Sequence, residues 1–173
     1  IVMAKLIDPS MSVANEKSIT AFIVERGFQG FQIGQKFDML GMRGYSTCEI
    51  VFNDCVVPKT NLLGEHGWGR KVALGSLAKG RVTIAAQATG WAQGSIDALA
   101  SFLRERASET PEYHAAVTQL GELAILTESA RALTYQAAYS IDSGESDVTL
   151  AAMAKIQATD VAMKASTEVL SIM

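Results

Sequence analysis

The sequence predicts an α+β chain: the end of an antiparallel β-domain followed by an up-down helical bundle, an incomplete four-helix bundle. Three observations predict it. Short apolar runs separated by turn residues fill the first third of the chain, and the composition changes sharply near Gly64. After Gly67, apolar residues recur at helical spacing through long stretches without proline. The domains divide accordingly, with residues 1–64 a partial β-domain and residues 65–173 a truncated helical bundle.

Length and charge bound the rest. At 173 residues with 49% hydrophobic content, the chain buries a sizeable core and is not disordered. The net charge is only −3 and the basic residues are scattered, which excludes nucleic acid or an anionic membrane as the main partner. No secretory leader pattern and no apolar run of about 18 residues occurs, so no membrane span is expected. The first residues, Ile1 to Ile7, form an apolar run without an initiator Met. Ser171 to Met173 stop inside a helical pattern without a cap, so both ends read as cuts through folded structure.

Residues 2–7, 19–25, 31–37 and 47–57 are strand candidates, rich in Ile, Val and Phe. Turn chemistry separates them at Asp8-Pro9-Ser10, at Arg26-Gly27 and from Gly41 to Gly44, and Asn53-Asp54 reads as a bulge or bend inside the last run. No connection is long enough for a crossover helix, which predicts an antiparallel meander. Cys48 and Cys55 stand seven apart in one run, on opposite faces of one strand, so they neither pair nor share a metal. That suits a reducing compartment.

The first helix is predicted over residues 68–106, with Val72, Leu77, Ile84, Ala85, Ala88, Trp91, Ala92, Ile96, Leu99 and Leu103 as its apolar stripe. Gly75, Gly80, Gly90 and Gly94 lie inside it, each costing roughly 1 kcal/mol relative to Ala. Close helix packing or a ligand against the backbone offsets such a cost. The second helix begins with Thr110 as N-cap and Pro111 in the first turn, carries Val117, Leu120, Leu123, Ala130, Leu133 and Ala137, and ends near Asp142-Ser143-Gly144. The third starts around Asp147 and runs through Leu150, Met153, Ile156, Val161 and Leu170. Trp68 and Trp91 read as packing anchors.

General chemistry motifs are absent. His66 and His114 are far apart and belong to no metal-ligand pattern, and no P-loop, dinucleotide fingerprint or nucleophile elbow occurs. Glu122 and Glu128 are six apart, off a common helix face, and read as solvated surface.

Longer motifs are more informative. The stretches Ser18-Ile-Thr-Ala-Phe-Ile-Val-Glu25, Leu40-Gly-Met-Arg-Gly-Tyr-Ser-Thr-Cys-Glu-Ile-Val-Phe-Asn-Asp54 and Val57-Pro-Lys-Thr-Asn-Leu-Leu-Gly64 resemble the second half of the acyl-CoA dehydrogenase β-domain. Gly67-Trp-Gly-Arg-Lys-Val-Ala-Leu74 and Gly80-Arg-Val-Thr-Ile-Ala-Ala-Gln-Ala-Thr-Gly90 are similar to the helix that opens that family's C-terminal bundle. Ala152-Met-Ala-Lys-Ile156 and residues 159–173 resemble a later helix of it. The likeness covers nearly the whole chain, in order.

The resemblance implies a noncovalently bound FAD, an acyl-CoA substrate desaturated between Cα and Cβ, electron-transfer flavoprotein as acceptor and a homotetramer. It places the enzyme in a bacterial cytoplasm or the mitochondrial matrix. Arg81 falls on an arginine that lines the acyl-CoA channel, with Lys79 and Gly80 at neighbouring motif positions. Ala78 stands where many relatives have an aspartate. One subset of the family keeps its catalytic glutamate at the position of Gly80; a glycine takes no proton, so the base is expected beyond residue 173. Arg106 corresponds to an arginine that reaches the FAD pyrophosphate of a neighbouring subunit, within Arg104-Glu-Arg-Ala-Ser-Glu-Thr-Pro111, where the family's Phe-Gly pair is missing. Ser171 stands where many members place a glutamine against FAD. The departures leave open an acyl group on acyl carrier protein, flavin oxygen chemistry on the same fold, or a noncatalytic helical oligomerisation module.

Overall fold

The computed structural model describes residues 1–7, 19–108, 110–145 and 147–173. The turn expected at Asp8-Pro9-Ser10 and the first residue of the Ser18 motif lie outside them. The chain divides into two compact units, Ile1–Leu74 and Gly75–Met173.

In the first unit, β1 (Val2–Lys5) pairs antiparallel with β2 (Ile19–Phe22), Val2 opposite Phe22 and Lys5 opposite Ile19. The second neighbour of β2 is a two-residue strand late in the unit, here called β5 (Leu62–Leu63). Asn61 makes that pairing specific: its carbonyl accepts from the Ile23 N–H at 2.9 Å, and its Nδ2 donates to the Ile23 carbonyl at 2.8 Å. Between them in sequence, β3 (Phe31–Lys36) and β4 (Cys48–Phe52) form a separate two-stranded ribbon, with Phe31 and Phe52 edge-to-face at 5.6 Å. The expected meander is therefore corrected. The strands are antiparallel, but β2 and β3 do not pair, because Asn61 and β5 occupy the edge that β3 would have used.

A register shift lies in β3, between Ile33 and Lys36. Asn53-Asp54 forms the bend expected there, but it ends β4 at Phe52 rather than lying inside a longer strand. Asp54 takes φ 47°, a conformation Asp tolerates better than most residues. Cys55 consequently lies outside the strand that holds Cys48; both thiols are free and half-buried. Gly30 supports the same turn. Its φ is +83°, and a Cβ there would stand 2.1 Å from the Asn53 carbonyl oxygen, so no other residue fits.

Helix α1 (Gly69–Glu105) starts in the first unit and runs into the second. At its start, fully buried Thr20 of β2 accepts a hydrogen bond from the Gly67 N–H at 3.0 Å. Helix α2 (Pro111–Asp142) is capped by Thr110, whose Oγ1 accepts from the Tyr113 N–H. Helix α3 (Val148–Ile172) is capped by Asp147, which accepts from the N–H groups of Thr149 and Leu150. Gly144, at φ +83°, closes the turn after α2.

The bundle core is built mainly from alanine: Ala130 and Ala137 of α2 meet a row comprising Ala151, Ala154, Ala158, Ala162 and Ala165 of α3. Such small side chains let α2 and α3 approach closest of the helix pairs. Helix α1 packs through longer residues, including Val82, Ile96, Leu99 and Leu103. Leu77, Ile84 and Trp91, expected in the core, are instead exposed, as are Val117, Met153, Ile156 and Leu170. Hydrophobic periodicity weights large residues; here the tight contacts belong to the small ones. Trp91 and Met163 flank a groove of about 450 Å3 floored by Ala88 and Ala162, so Trp91 is not a core anchor. Trp68 is half-buried against Gly64, with the Lys71 ammonium 3.8 Å above its ring. Among the described residues these helix glycines mediate no close packing: a Cβ at Gly75, Gly80, Gly90 or Gly94 meets no atom of theirs within 4 Å.

Candidate functional site

The predicted residues fall at two places on α1 and its surroundings. Lys79, Gly80 and Arg81 occupy one turn in the first half of the helix. At about 100° per residue, Lys79 and Arg81 stand about 200° apart, so they do not converge on one ligand. Lys79 is exposed, whereas Arg81 is half-buried and has no hydrogen-bond or ion-pair partner among the described residues. A half-buried arginine without a counterion buries its stem and keeps its guanidinium available to an anion from a ligand or another segment. Gly80 accepts the Thr83 hydroxyl at its carbonyl, 2.9 Å away, and leaves open space where a side chain would stand. Ala78 is buried and offers no polar atom.

The second place is the end of the bundle where α1 stops and α2 begins. A cavity of about 510 Å3 opens there, lined by Phe102, Arg106, Ser108, Thr110, Tyr113 and Ile172 among others. The two arginines of this segment are separated by their partners. Arg104 folds along its own helix, donating from Nε to the Ala100 carbonyl at 3.1 Å and from Nη2 to Ser101 at 3.3 Å. Arg106 lines the cavity, its guanidinium 3.9 Å above the centre of the Phe102 ring. The capped N-terminus of α2 forms another edge, where the helix dipole favours an anion. Glu112 is the one carboxylate among the described residues of the lining and works against that field.

Helix α3 supports the cavity from below. Gln119, which lines it, donates from Nε2 to Glu168 Oε2 at 2.8 Å, and Lys164 pairs with the other carboxylate oxygen. The hydrogen bonds from Lys164 and then Gln119 hold the Glu168 carboxyl below its ordinary value of 4.5. Ser171 is exposed and its hydroxyl donates to the Glu168 carbonyl at 2.7 Å, while its neighbour Ile172 reaches the cavity. The structure brings Arg106 and the end of α3 to one cavity and keeps Arg81 apart from both. Sequence reading missed Phe102 and Gln119. Phe102 had a signal, an aromatic residue one helical turn before a cation; Gln119 had none without its partner on α3.

Elsewhere, His66 is exposed, Glu122 is exposed, and Glu128 pairs with Arg131 at 3.0 Å. No group of three or more His, Cys, Asp and Glu among the described residues is placed to hold a metal, and no described helix is long and apolar enough to cross a membrane.

Residues 67–173, most of the chain, match the family model for the acyl-CoA dehydrogenase C-terminal domain. The chain belongs to the acyl-CoA dehydrogenase family. It is 42% identical to a probable short/branched chain specific acyl-CoA dehydrogenase of Dictyostelium discoideum, over 100% of this chain and 42% of that one. It is 38% identical to the short-chain specific enzyme of Clostridium acetobutylicum, over 90% of this chain and 42% of that one. Among solved structures, butyryl-CoA dehydrogenase from Megasphaera elsdenii superposes with a TM-score of 0.90 at 35% identity, covering 98% of this chain and 44% of its own. The chain thus spans less than half the length of these acyl-CoA dehydrogenases. Similar relatives include bacterial and mitochondrial enzymes. The family implies a flavin, and the cavity fits the phosphate-bearing part of one: a guanidinium, a helix N-terminus and hydroxyls suit a diphosphate.

Proposed function

We propose that these residues are part of an FAD-dependent oxidoreductase that desaturates an acyl-CoA thioester between Cα and Cβ. The observation that carries this reading is the Arg106 cavity at the end of a family-typical bundle. In it Arg106 and the α2 N-terminus bind the flavin diphosphate, with Ser171 beside them at the end of α3. A bound flavin supplies the acceptor for hydride from Cβ. Arg81 contributes to the acyl-CoA channel, its unpaired guanidinium facing an anionic or carbonyl group of the substrate, with Gly80 leaving room beside it. Lys79, on the other side of the helix, is left out of that channel. No residue of 1–173 is assigned as the base; we place that carboxylate outside them. The relatives named for short and branched acyl chains favour the same substrate class here. Electron-transfer flavoprotein as acceptor, a homotetramer in which Arg106 serves a neighbouring subunit's flavin, and a division at residues 64–65 belong to the same proposal.

The test uses the full-length protein. Anaerobic addition of butyryl-CoA or a short branched acyl-CoA should bleach the flavin's visible absorbance. Arg81→Ala should raise KM at least about tenfold while flavin content stays at one per chain, since a charge-assisted hydrogen bond contributes about 1.5–3 kcal/mol. A KM within about twofold of the parent would remove Arg81 from the channel.

A further inference from the structure

Arg106 has an unusual support for a residue at a helix end. It lies just past the last residue of α1, its side chain is 58% exposed, and its one ion pair among the described residues, with Glu105, is stretched to 4.0 Å. An arginine in that situation samples many rotamers. Among the described residues, what holds this one is Phe102, one turn earlier. The Phe102 ring is half-buried and packed against the bundle core, and the guanidinium lies 3.9 Å over its face while both line the cavity. The ring covers one side of the guanidinium, and N–H groups directed away from it are left for an anion.

We propose that Phe102 is a positioning residue for flavin binding: a core-clamped aromatic platform that holds Arg106 ready at the mouth of the cavity. The inference rests on the reading of the cavity as the site of the flavin diphosphate. Its new content is the platform, which compensates on this chain for the Phe-Gly pair missing after Arg106. A preorganised cation loses less side-chain entropy on meeting its anion, so the platform raises flavin affinity without touching the flavin.

A double-mutant cycle on the full-length apoprotein decides it, with FAD affinity read by quenching of flavin fluorescence. Phe102→Leu keeps an apolar side chain of similar reach and removes the ring; it should weaken FAD binding roughly threefold to fivefold, the scale of an exposed cation–π contact. Phe102→Tyr should restore the parent affinity. In an Arg106→Ala background, itself weaker by about tenfold or more, Phe102→Leu should have no further effect. An equal loss from Phe102→Leu in both backgrounds would make the ring merely structural and overturn the proposal. So would parent affinity in the single Phe102→Leu variant. Parent affinity in Arg106→Ala would overturn the diphosphate reading itself, and the platform with it. Because the readout is binding, a loss of catalysis from any other cause does not enter.

Discussion

Thr127 shows how much one hydroxyl can matter in a core made of small residues. It is 1% exposed and its Oγ1 has no partner among the described residues, whereas buried Thr89 and Thr134 donate to the carbonyls four residues back, at 2.8 Å each. A buried hydroxyl without a partner costs roughly 1–3 kcal/mol, and valine has nearly the same shape without it. Thr127→Val should therefore raise the urea midpoint, by about 1 kcal/mol in stability. Thr134→Val should change it by less than about 0.5 kcal/mol, because the Ala130 carbonyl keeps its helical bond. A destabilised Thr127→Val would show that the hydroxyl is satisfied in solution.

At the scale of elements, the polar links between helices are few and each is specific. Gln93 accepts from Arg131 at 2.6 Å between α1 and α2, and Ser140 accepts from the Asp147 N–H across the turn into α3. The Glu168 link between α2 and α3 is titratable. Its folded-state carboxyl sits below 4.5, so its contribution is complete above that pH and is lost as pH falls through the folded value. Glu168→Gln should lower the Tm most near neutral pH. The gap to the parent should close below pH 4.5; a gap constant with pH would mean that Glu168 carries no net charge effect. The elements themselves were largely legible. Pro111 and the capping residues Thr110 and Asp147 announce two helix starts, and Gly144 one stop, because these residues act within one turn of the chain. Two-residue β5 left no periodic signal, and its partner β2 is about forty residues away, so local pattern predicted a meander in its place. The cavity was half legible. Arg106 stood in a motif, but the choice of Arg106 over Arg104 was made by Ser101 and Phe102, and Gln119 needed Glu168 of α3.

At the scale of the molecule, five of the residues that periodicity wrongly placed in the core join Met163 in a pattern of their own. Leu77, Ile84 and Trp91 follow one another by seven along α1, and Ile156, Met163 and Leu170 do the same along α3; all six are exposed, Leu170 at 77%. A step of seven keeps side chains on one slowly drifting helix face, the spacing that packs against another helix. Trp91 and Met163 face each other across the groove floored by Ala88 and Ala162, so the two rows border one seam. Apolar side chains clustered along one seam in this way mark an interaction surface. Expressed as these 173 residues, the chain should therefore self-associate, with light scattering giving a mass above one chain. The attraction is apolar and the net charge only −3, so added sulfate should strengthen the association where an electrostatic one would weaken. Trp91→Glu combined with Met163→Glu should return the chain to monomer with its helical circular dichroism intact, because neither side chain belongs to the buried core. A monodisperse monomer for the unsubstituted chain would mean that its own helices close over the seam, and the three-helix packing described here would have to be revised.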